Sequence, residues 1–528
     1  MKITKQLRLA IVTTVILGVM SSCQQNEEVK PLDQEKQSFL SGSDLKNMIK
    51  LGKELENPYS VENMRKAYEN LSISYPNGRT SATEDIITTT HLYIRFKPRN
   101  EAELSILHQD TTLILYTYPL HYEIAQKGNF YHDPRVPLNQ PTYQYCAVKV
   151  DKKLPRGVAY DLIARLFIPD EDSNSDENLG NGRLESDGIP IDALVDEALR
   201  ITGNLDEEAT DNPNGRIERS KWRPAGKILL EDDILGKVPL TGAKVRARRW
   251  FTTHQGITNA NGDFSCDGRF KRDANYSIKW ERNDFDIRSG SLGQALYNGP
   301  KKRGDWNLTI SSRASRMYAI VHQALNDYYY GNRLGLKSPP QNSFWKARLK
   351  VSVRNEPNPD SNGNHNASRR FLGISSWIRI WNNGGTSREI YGTAIHEIAH
   401  ASHWELRRNT WDITETKVKE SWARGVQWAI GRLRYPGYEG GATIRPNYTQ
   451  VVVDMIDNRA PLDALGNPIN HNKGSENLTE DDVSGYTIKQ IEDVLSYTPT
   501  WEYWKTNIKN KYTNATEGNL DALFTYWN

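Results

Sequence analysis

The stretch His396-Glu397-Ile398-Ala399-His400 decides how the C-terminal part of this chain is read. A helix turns by about 100° per residue, so side chains at i and i+4 lie on one face about 6 Å apart. Two imidazoles so placed can share one metal ion, with the Glu397 carboxylate beside them to take a proton. The flanking sequence supports a helix. Gly384-Gly385 turns the chain, and Thr386 with Glu389 forms a capping-box pattern. The spacing predicts a helix from about Ser387 to Leu406. Upstream, Ile374 to Trp381 alternates as a strand, with Ile378 and Ile380 on one face and Trp377, Arg379 and Trp381 on the other. A further strand is predicted over Trp345–Arg354 and a helix over Arg313–Tyr330.

A catalytic Zn²⁺ takes three protein ligands and leaves a fourth position open. His396 and His400 are two candidates. His403 shares their face but lies about 10 Å along the axis from His396, too far for one ion on a straight helix. It is expected as a residue behind the ligands or on a substrate-facing rim. Glu420 is the preferred third ligand. It lies off the apolar stripe Val418, Trp422, Val426, Ala429, Leu433 of a second predicted helix, which Thr414 could cap. Glu415, at the start of that helix, is the competitor. Tyr438, Tyr448, His471 and Tyr486 are open alternatives for a donor to an oxyanion.

The HExxH pentapeptide, in a helix after a strand and a turn, resembles the zincin metallopeptidases. The longer pattern with a third distal His is absent, since His403 and Leu406 occupy its Gly and His positions. The arrangement is more similar to the gluzincins, in which a returning helix supplies Glu. That resemblance implies Zn²⁺ on His396, His400 and Glu420, a zinc-activated water, and Glu397 as general base toward a peptide bond.

The N-terminus carries a different signal. Lys2, Lys5 and Arg8 precede an apolar run from Leu9 to Met20, too short to span a bilayer comfortably, and Ser21-Ser22-Cys23 follows. This resembles a bacterial lipoprotein signal, with Cys23 as the lipidated residue, although Met20 stands where Leu is typical. An ordinary secretory peptide is the alternative. The resemblance implies a signal peptide at 1–22, a polar tether at 23–40, and export with a lipid anchor in the outer membrane, surface-exposed as in Bacteroidota lipoproteins. Only Cys146 and Cys266 remain beyond it, as buried thiols or as a pair.

With 528 residues the chain exceeds one ordinary core. A net charge of +3, dispersed along the chain, gives no argument for nucleic acid. The 14 Trp and 26 Tyr suit cores and also the binding of peptides or sugars. The predicted class is multidomain α+β. An N-terminal α+β region of unknown role spans 41–220, with helices over Ser43–Glu54 and Ser60–Leu71, β-like runs at His91–Phe96 and Leu113–Tyr118, and helical signal at Tyr160–Phe167. Asp170 to Gly182 mimics the first ligands of a calcium loop, but Ser175 and Asn181 break the pattern, leaving a solvated loop. From 224 to 310 the β-runs and the Asn261-Gly262 turn resemble the carboxypeptidase regulatory-like (transthyretin-like) sandwich, a structural or adhesive module in its family. Residues 313–528 form the mainly helical zincin-like unit with a small sheet.

The leading expectation is therefore a cell-surface zinc peptidase acting on a peptide, protein or glycoprotein. Two alternatives stand beside it. One is a surface binding or adhesion lipoprotein for glycans or proteins with a vestigial protease fold. The other is a glycopeptidase acting on mucin-like glycoproteins.

Overall fold

The structure, a computed structural model, describes residues 46–73, 83–169, 189–205, 220–290, 293–343, 347–366, 377–440, 446–458 and 482–528. The expectations for Cys23, for 1–40, for the calcium-like loop and for His471 lie outside them. The molecule is mixed α+β. No helix among the described residues is long and apolar enough to cross a membrane.

In the N-terminal region, β1 (Lys50–Glu54), helix α1 (Val61–Ser72), β2 (His91–Phe96), α2 (Glu101–Gln109), β3 (Tyr122–Gln126), β4 (Gln144–Lys149), β5 (Tyr160–Leu166) and α3 (Ile191–Ile201) follow one another. β4-β2-β5 form an antiparallel sheet, and β1 pairs with β3. α1 starts where expected, with the Ser60 side chain accepting from Asn63 N at 3.1 Å. Two expectations fail here. Lys50–Glu54 is a strand rather than the end of a helix, because its backbone pairs with residues 122–126. Tyr160–Leu166 is also a strand, hydrogen-bonded along β2, with Tyr160 and Leu162 exposed. Tertiary pairing overrides local periodicity in both. Only Tyr116, of the run 113–118, bridges to another strand, at Tyr145.

The sandwich has two sheets. β6 (Ala225–Asp232), β7 (Gly236–Pro239), β10 (Asp263–Ser265) and β15 (Trp306–Ile310) make one. β8 (Lys244–Arg249), β9 (Thr252–Ile257), β11 (Ala274–Lys279) and β14 (Leu296–Lys302) make the other. Between them in sequence lie β12 (Phe285–Ser289) and β13 (Gly293–Gln294), and these two strands do not join the sandwich. They enter a third sheet with β16 (Leu349–Arg354), β17 (Gly363–Asn366) and β18 (Trp377–Trp381), in the order β13-β12-β16-β18-β17. β12, β16 and β18 are parallel, whereas β17 is antiparallel and, among the described residues, forms the edge beside β18. Helix α4 (Arg313–Tyr330) lies between β12 and β16, as a parallel connection requires. The sheet thus draws strands from within the 224–310 span and from beyond it.

Two long helices carry the rest. α5 spans Ser387–Leu406 and α6 spans Thr416–Arg434, followed by α7 (Val451–Ile456), α8 (Ile488–Leu495), α9 (Trp501–Lys511) and α10 (Leu520–Tyr526). The capping box forms as predicted, with Thr386 N donating to Glu389 Oε2 at 2.7 Å. Nearly all of α5 from Tyr391 to Trp404 is buried, since it packs on α4, on α6 and on the sheet. Ile378, Ile380, Val351 and Val353 turn inward from the sheet, and one continuous core runs from Ile228 in β6 to Trp527. Burial on this scale is the main force fixing α5 in place. Cys146 and Cys266 are both buried and free.

Candidate metal centre

α5 and α6 meet with His396 and His400 of one facing Glu420 of the other. His396 Nε2 lies 3.1 Å from Glu420 Oε2, His400 Nε2 lies 3.2 Å from the same oxygen, and the two Nε2 atoms are 3.1 Å apart. This is the one group of three or more possible ligands among the described residues. The donor set also has the right shape. Ligands about 2.0–2.1 Å from a tetrahedral zinc stand about 3.3 Å from one another, close to the edges of this triangle. Three hydrogen-bonding atoms cannot all satisfy one another at such distances, whereas a cation at their centre satisfies all three. His396, His400 and Glu420 therefore fit Zn²⁺.

The helices are held in register by ties behind the ligands. Asp327 of α4 accepts from Tyr391 of α5 at 2.9 Å and from Arg434 of α6 at 2.8 Å. The first turn of α5 is tied to the β6–β7 hairpin, where Asp233 accepts from Ser387 N at 2.8 Å. Tyr435, just past α6, donates to Asp232 of the same hairpin at 2.6 Å.

The two imidazoles set the buried carboxylates apart. Glu397 is 6% exposed, and its carboxyl is pushed up to about 8, chiefly by burial, with His396 opposing and the Glu420 charge adding to the rise. For Glu420 burial also favours the neutral acid, but His400 and His396 outweigh it and hold this carboxyl well below the usual range. Strand β17 closes the site from the sheet side. A Cβ at Gly363 would come 2.6 Å from Glu397 Oε1 and 2.8 Å from Thr393 Cγ2, so only glycine lets this backbone lie on the carboxylate.

Several residues named from sequence stand elsewhere. Glu415 accepts from Trp501 N at 2.7 Å, caps α6 by position, and is not among the grouped ligands. Thr414 is not the cap; its hydroxyl bonds Thr410 O. His403 is no rim residue. It is fully buried, 5.2 Å edge-on to Trp411, and burial keeps its imidazole neutral to well below the ordinary value. Of the proposed donors, Tyr438 bonds Gln427 at 2.6 Å and fills the space over Gly392 and Gly431, and Tyr486 sits in the core. Tyr448 alone among the described ones reaches the centre, its ring stacked 6.0 Å from that of His396. Trp377–Trp381 is an inner strand, and the edge beside the site belongs to β17.

Two neighbours of the site were not anticipated. His365, on the same face of β17 as Gly363, stacks with its ring 6.3 Å from His400. Trp411 stands edge-on to His365, His400 and His403 at 6.2, 6.3 and 5.2 Å. The Asn-rich stretch around His365 gives no strand signal, and Trp411 lies in a turn.

No protein-family model, curated protein or solved structure matches the chain.

Proposed function

We propose that the chain is a zinc-dependent peptidase of gluzincin-like type, exported and anchored through lipid on Cys23. The observation that carries this reading is the near-equilateral triangle of His396 Nε2, His400 Nε2 and Glu420 Oε2 with the buried Glu397 one residue from His396. His396, His400 and Glu420 would hold the ion. Bound Zn²⁺ would supply Lewis acidity, making water nucleophilic at neutral pH and polarising a carbonyl. Glu397 accepts the proton of the attacking water and returns it to the leaving amine, and its seclusion keeps that proton in the site. Tyr448, whose ring stacks 6.0 Å from that of His396, is the donor this reading assigns to a developing oxyanion. The β17 edge, bonded to β18 on one side, offers backbone groups to an extended peptide, as edge strands do in β-addition.

The test is to purify the chain without its leader, measure zinc by elemental analysis, and profile cleavage of peptide and glycoprotein libraries with a chelator control. About one zinc per chain and chelator-sensitive cleavage are expected. A Glu397→Gln protein that still cleaves at full rate would remove the proposed base. A zinc-loaded protein that cleaves nothing but retains glycan or protein ligands would favour the binding lipoprotein instead.

A further inference from the structure

A second polar cluster, sharing no residue with the candidate metal centre, lies where the N-terminal region meets the sandwich. Its centre is Glu281, 3% exposed. That carboxylate meets Lys244 at 2.8 Å, Lys279 and Arg348 at 3.0 Å, and Arg246 at 3.7 Å. Beside it Arg288 pairs with Asp286 at 3.1 Å and stands 3.6 Å from Glu101, which also holds Lys350. Among the described residues, six cations thus share three carboxylates, and each of these side chains is at most a fifth exposed.

An unbalanced positive charge away from water is costly unless a proton leaves or a negative partner enters. The cluster offers a place for a partner. Two adjoining cavities of about 10 and 20 Å³ share Thr117, Lys279 and Gln294 in their walls, and Arg288 and His108 line the first. Thr117 Oγ1 is buried there with no hydrogen-bond partner among the described residues. Gln294 Oε1 is a second such atom, and as an acceptor it needs a water or the Lys279 ammonium rather than an anion. The first cavity, about 10 Å³, has room for one small occupant, which favours a monatomic anion over tetrahedral oxyanions such as sulfate or phosphate.

We propose that this cavity is a binding site for one small inorganic anion of chloride size, held by Lys279, Arg288 and the Thr117 hydroxyl at the seam between the N-terminal region and the sandwich. The site is independent of the metal centre and of the peptidase reading. Without the anion, burial and the neighbouring Arg246, Lys244 and Arg348 outweigh Glu281 and bring the Lys279 ammonium down to about 7. An anion in the cavity relieves that field, so ion binding and docking of the N-terminal region support each other.

The test uses the whole exported chain. Thermal unfolding is compared in sodium chloride, sodium bromide and sodium gluconate at equal ionic strength, and crystals grown in bromide are measured at the bromine edge. A saturable, halide-specific rise in Tm and an anomalous peak between Lys279 and Thr117 are expected. Lys279→Met and Thr117→Val should abolish and weaken the halide dependence respectively. If Lys279→Met does not fold, the bromide map of the unsubstituted protein and the Thr117→Val titration decide. A map with no peak in the cavity, or a Tm equal in all three salts, would overturn the proposal and leave a water-filled cavity with a neutral Lys279.

Discussion

Burial raises the carboxyls of both Glu397 and Glu420, yet the two end on opposite sides of the usual range because the His400 and His396 imidazoles outweigh burial only at Glu420. That asymmetry matches the roles proposed for them above. Glu420 stays an anion and can ligate, while Glu397 holds a proton readily and can transfer one. Glu397→Gln should lower kcat by about 10²–10⁴-fold with zinc content unchanged in elemental analysis. Glu420→Ala should instead lose the zinc, which the same measurement reads directly. Gly363→Ala is a third discriminating change. Its Cβ would press on Glu397 Oε1 and Thr393, at a cost of about 1–3 kcal/mol of overpacking. Lower kcat with zinc retained is the expected result, and wild-type kinetics would show that β17 does not pack against the base.

At the scale of elements, α5 owes its start to one capping box. Thr386→Ala should cost about 1 kcal/mol in urea unfolding, with no change in the ligands. α4, α5 and the core strands at 349–354 and 377–381 were legible because their apolar periods and caps agree with their tertiary environment. The pairing of the candidate ligands His396 and His400 was legible for the same reason, since helical spacing fixes one against the other whatever surrounds them. Other elements were not. Tyr160–Leu166 carries mixed apolar residues on both faces and becomes a strand only through β2. Gly363–Asn366 has no β-branched residue at all, and its pairing with β18 makes it the edge beside Glu397. Trp411 and His365 reach the site through loop and edge geometry that spacing does not encode. The N-cap of α6 is Glu415 rather than Thr414, and its carboxylate accepts from Trp501 N across the fold instead of capping the helix.

The whole molecule is tied together through buried groups that titrate. His322 on α4 is fully buried between Trp280 and Phe285, each ring about 5.6 Å away, and burial, aided by Arg282, brings its imidazole down to about 3. The unfolded chain binds this proton near pH 6.5, whereas the folded one binds it only near 3, so His322 makes stability fall as pH drops through that window. The slope is about 1.4 kcal/mol per pH unit for one proton. Denaturant midpoints between pH 7 and 4 should therefore decline in the wild type and flatten by that amount in His322→Phe. The same junction makes a fragment of residues 313–528 a poor folding unit, because it lacks β12, β13 and the Phe285–Leu349 pairing. Such a fragment should show no cooperative thermal transition by circular dichroism, while the chain from residue 220 onward should show one. The strand Phe285–Ser289 has a consequence for ancestry as well. Recombination at residue 311 would hand a new lineage the helix that carries His396 and His400 without the strand that lies beside β16 beneath it. The sandwich and the helical unit from residue 313 onward must then be inherited together, and a close relative that kept one and exchanged the other would carry a replacement for β12.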